Sequence, residues 1–244
     1  MKKITTSVAM LCCTLIFNSF LFAQDLNTVL NKHFEAVGQT QKSQIQSIFL
    51  EIKEVNADNE EKMYSVIKKK TNKIRIEGVW EGENYISAYD GVRAWTIAPW
   101  TGVSIPQLMT MKEIDDIKSV DGIDSPLLKF QQNGDDMVYS KVTMEDSATY
   151  HLLRVSSFEY PVMEYYLDET YLIYKSLRYD RSNATKVVEE KLYKNYKAHN
   201  ISGKGDIQMA MVLEVINNEV KTEQVIEEVI LGFGAPNSFF TKPD

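Results

Sequence analysis

Apolar and polar positions change their period twice along this chain. Leu26, Leu30, Phe34 and Val37 recur at helical spacing, with Asp25 placed to cap the helix and Gly38 to end it. From Ile45 the period drops to two. Ile48, Leu50 and Ile52 share one strand face, and Lys73-Ile74-Arg75-Ile76-Glu77 alternates cleanly. Strands are expected over 63–70, 73–80, 83–89 and 92–98, with Asp90-Gly91 as a type I′ hairpin turn between the last two, and an extended segment at 103–109. Helical spacing then returns. Thr110 and Glu113 form a capping-box pattern ahead of Ile114, Ile117 and Val120, and Asp121-Gly122 is the stop. Ser125 caps a second helix, with Pro126 at its first position, Leu127, Leu128 and Phe130 as apolar positions and Gly134 at its end. Strand patterns fill 138–145, 150–158, 162–167, 171–179, 187–196, 207–216 and 220–231. Asp146-Ser147-Ala148, Asp168-Glu169 and Asn217-Asn218 read as turns. The links are short, so neighbours should pair antiparallel. Five or six strands before the helix pair and about seven after it form a sheet that must curl or close.

The first 23 residues stand apart from this pattern. Lys2 and Lys3 precede a mostly apolar run from Val8 to Phe22, and the small Ala23 comes just before Gln24. This is the layout of a secretory signal peptide, with cleavage expected after Ala23. The run is too short for a transmembrane span, which needs about 20 residues. Cys12 and Cys13 both lie inside it, so residues 24–244 hold no thiol, no disulfide and no thiolate metal site. Lipid anchoring at Cys12 or Cys13 is not expected, because Leu11 rather than a small residue precedes the pair. Residues 24–244 read as one domain, with no low-complexity tract or long linker. Loss of Lys2 and Lys3 leaves 25 basic against 34 acidic residues, a net charge of −9. That balance excludes nucleic acid, which demands clustered Lys and Arg.

No enzyme signature emerges. His33, His151 and His199 have no second His or carboxylate at metal-ligand spacing and read as surface or half-buried structural residues. There is no nucleophile elbow, phosphate loop or zinc-protease motif. Acidic neighbours such as Glu189-Glu190 and Glu227-Glu228 point to opposite faces of a strand and, like Asp115-Asp116, read as solvated charge. No catalytic residue, metal or cofactor is assigned. The apolar faces say more. Ile207, Met209, Met211, Leu213 and Val215 make one. Ile74 with Ile76, and Trp95 with Ile97, make others. Such faces cover a core or line a cavity, and methionines there suit a variable apolar ligand.

Several segments, in order, resemble the outer-membrane lipoprotein-sorting (LolA/LolB-like) superfamily. Tyr89-Asp90-Gly91-Val92-Arg93-Ala94-Trp95-Thr96-Ile97-Ala98-Pro99 is similar to its Asp-Gly…Trp…Pro hairpin. Glu35-Ala36-Val37-Gly38 with Ile45-Gln46-Ser47-Ile48, the strand Lys73–Glu77, Tyr165–Ile173 and the tail from Phe233 to Phe240 also look like its elements. The resemblance implies an α+β, mainly antiparallel fold: a half-open β-barrel of about 11 strands with an N-terminal helix and a helical lid. It implies an exported, non-enzymatic periplasmic protein that binds a lipid or the acyl chains of a lipoprotein, as a carrier or chaperone in envelope lipoprotein sorting. The other reading is an envelope sensor or scaffold module that binds another protein through the same concave sheet. Ile74, Ile76, Trp95, Ile97, Met209, Met211 and Leu213 are expected to line the lipid cavity, with Ile114, Ile117, Leu127 and Leu128 in the lid.

Overall fold

A computed structural model of the chain describes residues 26–118, 122–144 and 148–243. The expected leader with Asp25, Val120 and Asp121 at the end of the helix expected from Thr110, and Asp146-Ser147 lie outside these residues. Helix α1 covers 26–36 and is followed at once by the short α2 (Gln39–Lys42). Six strands come next: β1 (Ser47–Asn56), β2 (Glu61–Lys69), β3 (Lys73–Trp80), β4 (Glu83–Tyr89), β5 (Ala94–Ala98) and β6 (Val103–Leu108). Helices α3 (Met111–Lys118) and α4 (Pro126–Asn133) lead to β7 (Asp136–Thr143) and β8 (Thr149–Ser156). The chain closes with β9 (Met163–Leu167), β10 (Ile173–Tyr179), β11 (Val187–Ile201), β12 (Gly205–Asn217) and β13 (Val220–Leu231).

All thirteen strands form one antiparallel sheet, ordered β6-β5-β4-β3-β2-β1-β13-β12-β11-β10-β9-β8-β7. It is two meanders, joined where β1 pairs with β13, and it stays open between β6 and β7. The barrel is half-open as expected, with thirteen strands rather than about 11. The free edge β6 carries Pro106, which removes a ladder donor and discourages edge-to-edge pairing.

Two apolar cores fill the concave side. Ile48, Leu50, Ile52, Val66, Ile74 and Met211 form one, against which Ile117 and Ile114 of α3 pack. Leu153, Val155, Tyr165 and Leu167 form the other, with Val29 and Leu30 of α1 and Leu127 and Phe130 of α4. The helix pair thus crosses the concave face from one edge strand to the other, and each helix is anchored in a different core.

Local signals explain how the helices are held. Thr110 and Glu113 close the capping box: the Thr110 amide donates to Glu113 Oε2 at 2.7 Å. Ser125 Oγ accepts the Leu127 amide at 3.3 Å, Pro126 follows it, and Gly134 ends α4 in the left-handed region. Gly38 has φ +67°, and a Cβ there would lie 2.3 Å from the Asp206 carbonyl oxygen, so only glycine lets α1 meet β12 this closely.

The Asp90-Gly91 turn differs from expectation. Gly91 has positive φ but Asp90 does not, so the turn is not type I′. It is a four-residue loop in which Asp90 Oδ1 accepts the amides of Val92 and Arg93 at 2.8 and 2.7 Å. The paired positive φ values that a type I′ turn requires occur instead at Asn218 and Glu219, between the partners Asn217 and Val220.

Candidate functional site

Strand register decides which face of the sheet is inside. Ile74 lies opposite Tyr89, and Tyr89 opposite Ala94; these face the concavity with Ile48, Leu50 and Val66. The intervening row, Arg75–Ala88–Trp95, faces outward. Trp95 and Ile97 are therefore on the convex side and do not line the cavity as expected. Alternation correctly placed them together, but it carries no information on which face is buried against what. Trp95 instead anchors the C-terminal tail: its Nε1 donates to the Phe240 carbonyl at 2.8 Å. Phe240 is fully buried and packs with Ile67, Ala235 and Phe49 in a small outer core. Arg75 donates to the Phe239 carbonyl at 2.8 Å and lies over the Trp95 ring at 5.8 Å.

Beneath the α3–α4 crossing lie two chambers that share a wall. The larger, about 590 Å³, is lined by apolar residues of β1, β2, β3, β12 and β13, including Ile76, Met209, Leu213 and Val215. The smaller, about 400 Å³, opens beside α4 and is lined by Ile74, Leu128, Tyr160, Met163 and Tyr165 among others. Of the expected lining, Ile76, Met209 and Leu213 face the larger chamber and Ile74 the smaller. Met211 is 7% exposed and belongs to the core rather than to either lining. In the lid, Leu128 faces the smaller chamber, while Leu127 is fully buried and Ile114 and Ile117 pack on the first core.

The shared wall is polar, which the sequence reading missed. Arg178, Glu189, Lys191 and Tyr193 border both chambers. Glu189 is buried, contrary to its reading as solvated charge, because Arg178 and Lys191 both reach it, at 3.4 and 3.3 Å. Ser176 lies beside them and hydrogen-bonds the Tyr193 hydroxyl at 3.2 Å. The available signal was the mixed character of β10 and β11, in which neither face is purely apolar.

A second polar chain fastens the lid. Lys70 pairs with Asp124; Gln39 Nε2 donates to Asp124 Oδ1 at 2.7 Å, and the Ser125 amide donates to Gln39 Oε1 at 2.8 Å. His33 Nδ1 is 2.8 Å from the Tyr171 carbonyl, so it carries the proton and donates there. Its Nε2 then accepts from Ser125 Oγ at 2.7 Å. His33 is fully buried, not half-exposed, and burial holds its pKa down to about 4. This latch ties α1, α2, the β9–β10 turn and the end of β2 to the start of α4. Among the described residues, no group of three or more His, Cys, Asp or Glu is placed to hold a metal ion.

No protein-family model matches the sequence, and no curated protein does. Solved structures do. A domain described as an outer membrane lipoprotein-sorting protein domain, from Vibrio parahaemolyticus, superposes with a TM-score of 0.58 at 12% identity, over 84% of this chain and 95% of its own. A LolA superfamily protein from Nitrosomonas europaea gives 0.57 at 14% identity, over 84% and 96%. A DUF1329 family protein from Desulfovibrio piger gives 0.57 at 14% identity, over 87% and 97%. At this identity the likeness establishes the fold: the chain has the open-barrel architecture of LolA superfamily structures.

Proposed function

We propose that this chain is a non-enzymatic protein of the periplasm that holds the acyl chains of a lipid or lipoprotein beneath the helix pair, as a carrier or chaperone in envelope lipoprotein sorting. The observation that carries the reading is the roofed apolar chamber of about 590 Å³, a size typical of small-molecule sites. Each buried CH₂ is worth about 0.8 kcal/mol, so about ten methylenes supply on the order of 8 kcal/mol before the costs of association. No catalytic group is needed for that. The lipoprotein-sorting description of the Vibrio structure and the leader pattern of residues 1–23 both support it. No helix among the described residues is long and apolar enough to cross a membrane. A protein-binding sensor or scaffold would need an open groove, and here α3 and α4 lie across it.

The test is titration with a fluorescent acylglycerol, whose head is neutral. Wild-type protein binds it, and Leu213→Trp, which fills the larger chamber, abolishes binding while the melting profile is retained. Wild-type protein that never takes up the probe would overturn the reading.

A further inference from the structure

We infer that the ligand is an anionic amphiphile: its chains occupy the larger chamber and its oxyanion head sits in the smaller one, against Arg178 and Lys191. This rests on the reading of the larger chamber as an acyl site and adds the chemistry of the head.

The smaller chamber is cationic in an acidic protein. Of the nine Lys and Arg around it, Lys69 and Lys73 turn outward to Asn237 of the tail, which leaves seven against three carboxylates, whereas the whole sequence carries a formal charge of −7. The three carboxylates do not neutralise it. Asp124 is engaged by Lys70, and Glu189 is shared by Arg178 and Lys191. Several other cations meet neutral partners: Lys129 the Tyr160 hydroxyl and ring, Arg181 the Glu159 carbonyl.

Arg178 and Lys191 are the informative pair. Their side chains are 17% and 15% exposed, on the wall common to both chambers. One carboxylate answers two cations, so the wall keeps a charge of about +1. Arg178 meets Glu189 only through Nε and Nη2, at 3.4 and 3.5 Å, and Lys191 meets it at 3.3 Å. These contacts are long for charge-assisted hydrogen bonds, which run at about 2.7–2.9 Å. The guanidinium fork has five N–H donors, so a phosphate or sulfate oxygen finds donors available there. An uncompensated cation next to an apolar chamber is costly unless an anion joins it. An amphiphile that enters head last supplies that anion at the moment its chains fill the chamber. A neutral diacylglyceryl head does not.

The experiment compares three probes by calorimetric titration of the full chain, with detergents below their micelle concentrations: dodecyl phosphate, dodecyl maltoside and inorganic phosphate. We expect dodecyl phosphate to bind at least about tenfold tighter than dodecyl maltoside, and inorganic phosphate to bind far more weakly than either. In Arg178→Gln and in Lys191→Gln, each of which leaves Glu189 one cation, dodecyl phosphate should lose about tenfold while dodecyl maltoside is unchanged. Lys129→Gln, at the rim, provides a further variant that leaves the wall pair intact and should lose less. Equal affinity for the two detergents in wild type would overturn the inference and leave the acyl site standing. Inorganic phosphate as tight as dodecyl phosphate would mean a site for a free anion and would overturn it too. Failure of both detergents to bind would remove the acyl site itself.

Discussion

Ser125→Ala is the sharpest test of how the lid is fastened. The hydroxyl has two roles. It accepts the Leu127 amide at the start of α4, and it donates to the buried Nε2 of His33. Loss of a serine cap costs about 1 kcal/mol. A buried imidazole nitrogen left without its donor costs about 1–3 kcal/mol. Both residues are buried. The expected total is about 2–4 kcal/mol, which for a domain of this size lowers the melting temperature by about 5–15 °C. Urea unfolding gives the free energy, and a double-mutant cycle with His33→Leu isolates the hydrogen bond. Coupling of about 1 kcal/mol or more is expected. A loss under about 0.5 kcal/mol, or a cycle with no coupling, would show that the Ser125–His33 contact does not hold the lid.

Four further outcomes follow from the same structure. His33 binds its proton less readily folded than unfolded, so stability is full above about pH 6.5 and falls as pH drops towards 4, by up to about 3 kcal/mol; burial lowers the pKa of His151 and His199 in the same direction, and urea midpoints at pH 7 and 4.5, with and without His33→Gln, measure the share due to His33. Met209→Glu puts a carboxylate in the larger chamber, where water can reach it, so acyl-probe binding should vanish with the fold intact; an unfolded variant would mean a dry core there. Gly38→Ala should cost at least about 2 kcal/mol in thermal melts, since it adds left-handed strain and a clash with Asp206; a neutral effect would refute the close approach of α1 and β12. Export with cleavage after Ala23 predicts an intact mass beginning at Gln24, and an acylated form beginning at Cys12 or Cys13 would overturn it.

Much of the fold was legible because period and punctuation agree. The bounds of β3, β4 and β13 match the alternating runs, and the Ser125, Pro126 and Gly134 signals frame α4 as expected. The site was less legible, for two physical reasons. Period two tells which residues share a face, yet only register tells which face is concave: Ile74 and Ile76 turn inward while Trp95 and Ile97 turn out under the tail. Charge pairing is likewise invisible in one strand. Glu189 looks solvated beside Glu190 until β10 brings Arg178 opposite it. Met211 shows a third limit. It shares a face with Met209, but it sits deeper, against Ile48 and Leu50 and 3.4 Å from His199 Nε2, so it is core while Met209 is lining.

The join between β1 and β13 has a consequence for how the molecule comes into being. Ile48 pairs with Leu231, at opposite ends of the described chain, whereas every other pairing among the described strands links consecutive ones. Each meander can assemble from local hairpins, but the long closure is slow and depends on the final strand. Until β13 arrives, β1 and β12 both present bare edges and the larger chamber lacks a wall. A chain that folds in order from its N-terminus therefore gains the larger chamber last, when a single ribbon slots between two waiting half-sheets. Completion of the larger chamber and completion of the sheet are then the same event, so a copy truncated before β13 lacks a chamber wall and leaves two strand edges unpaired.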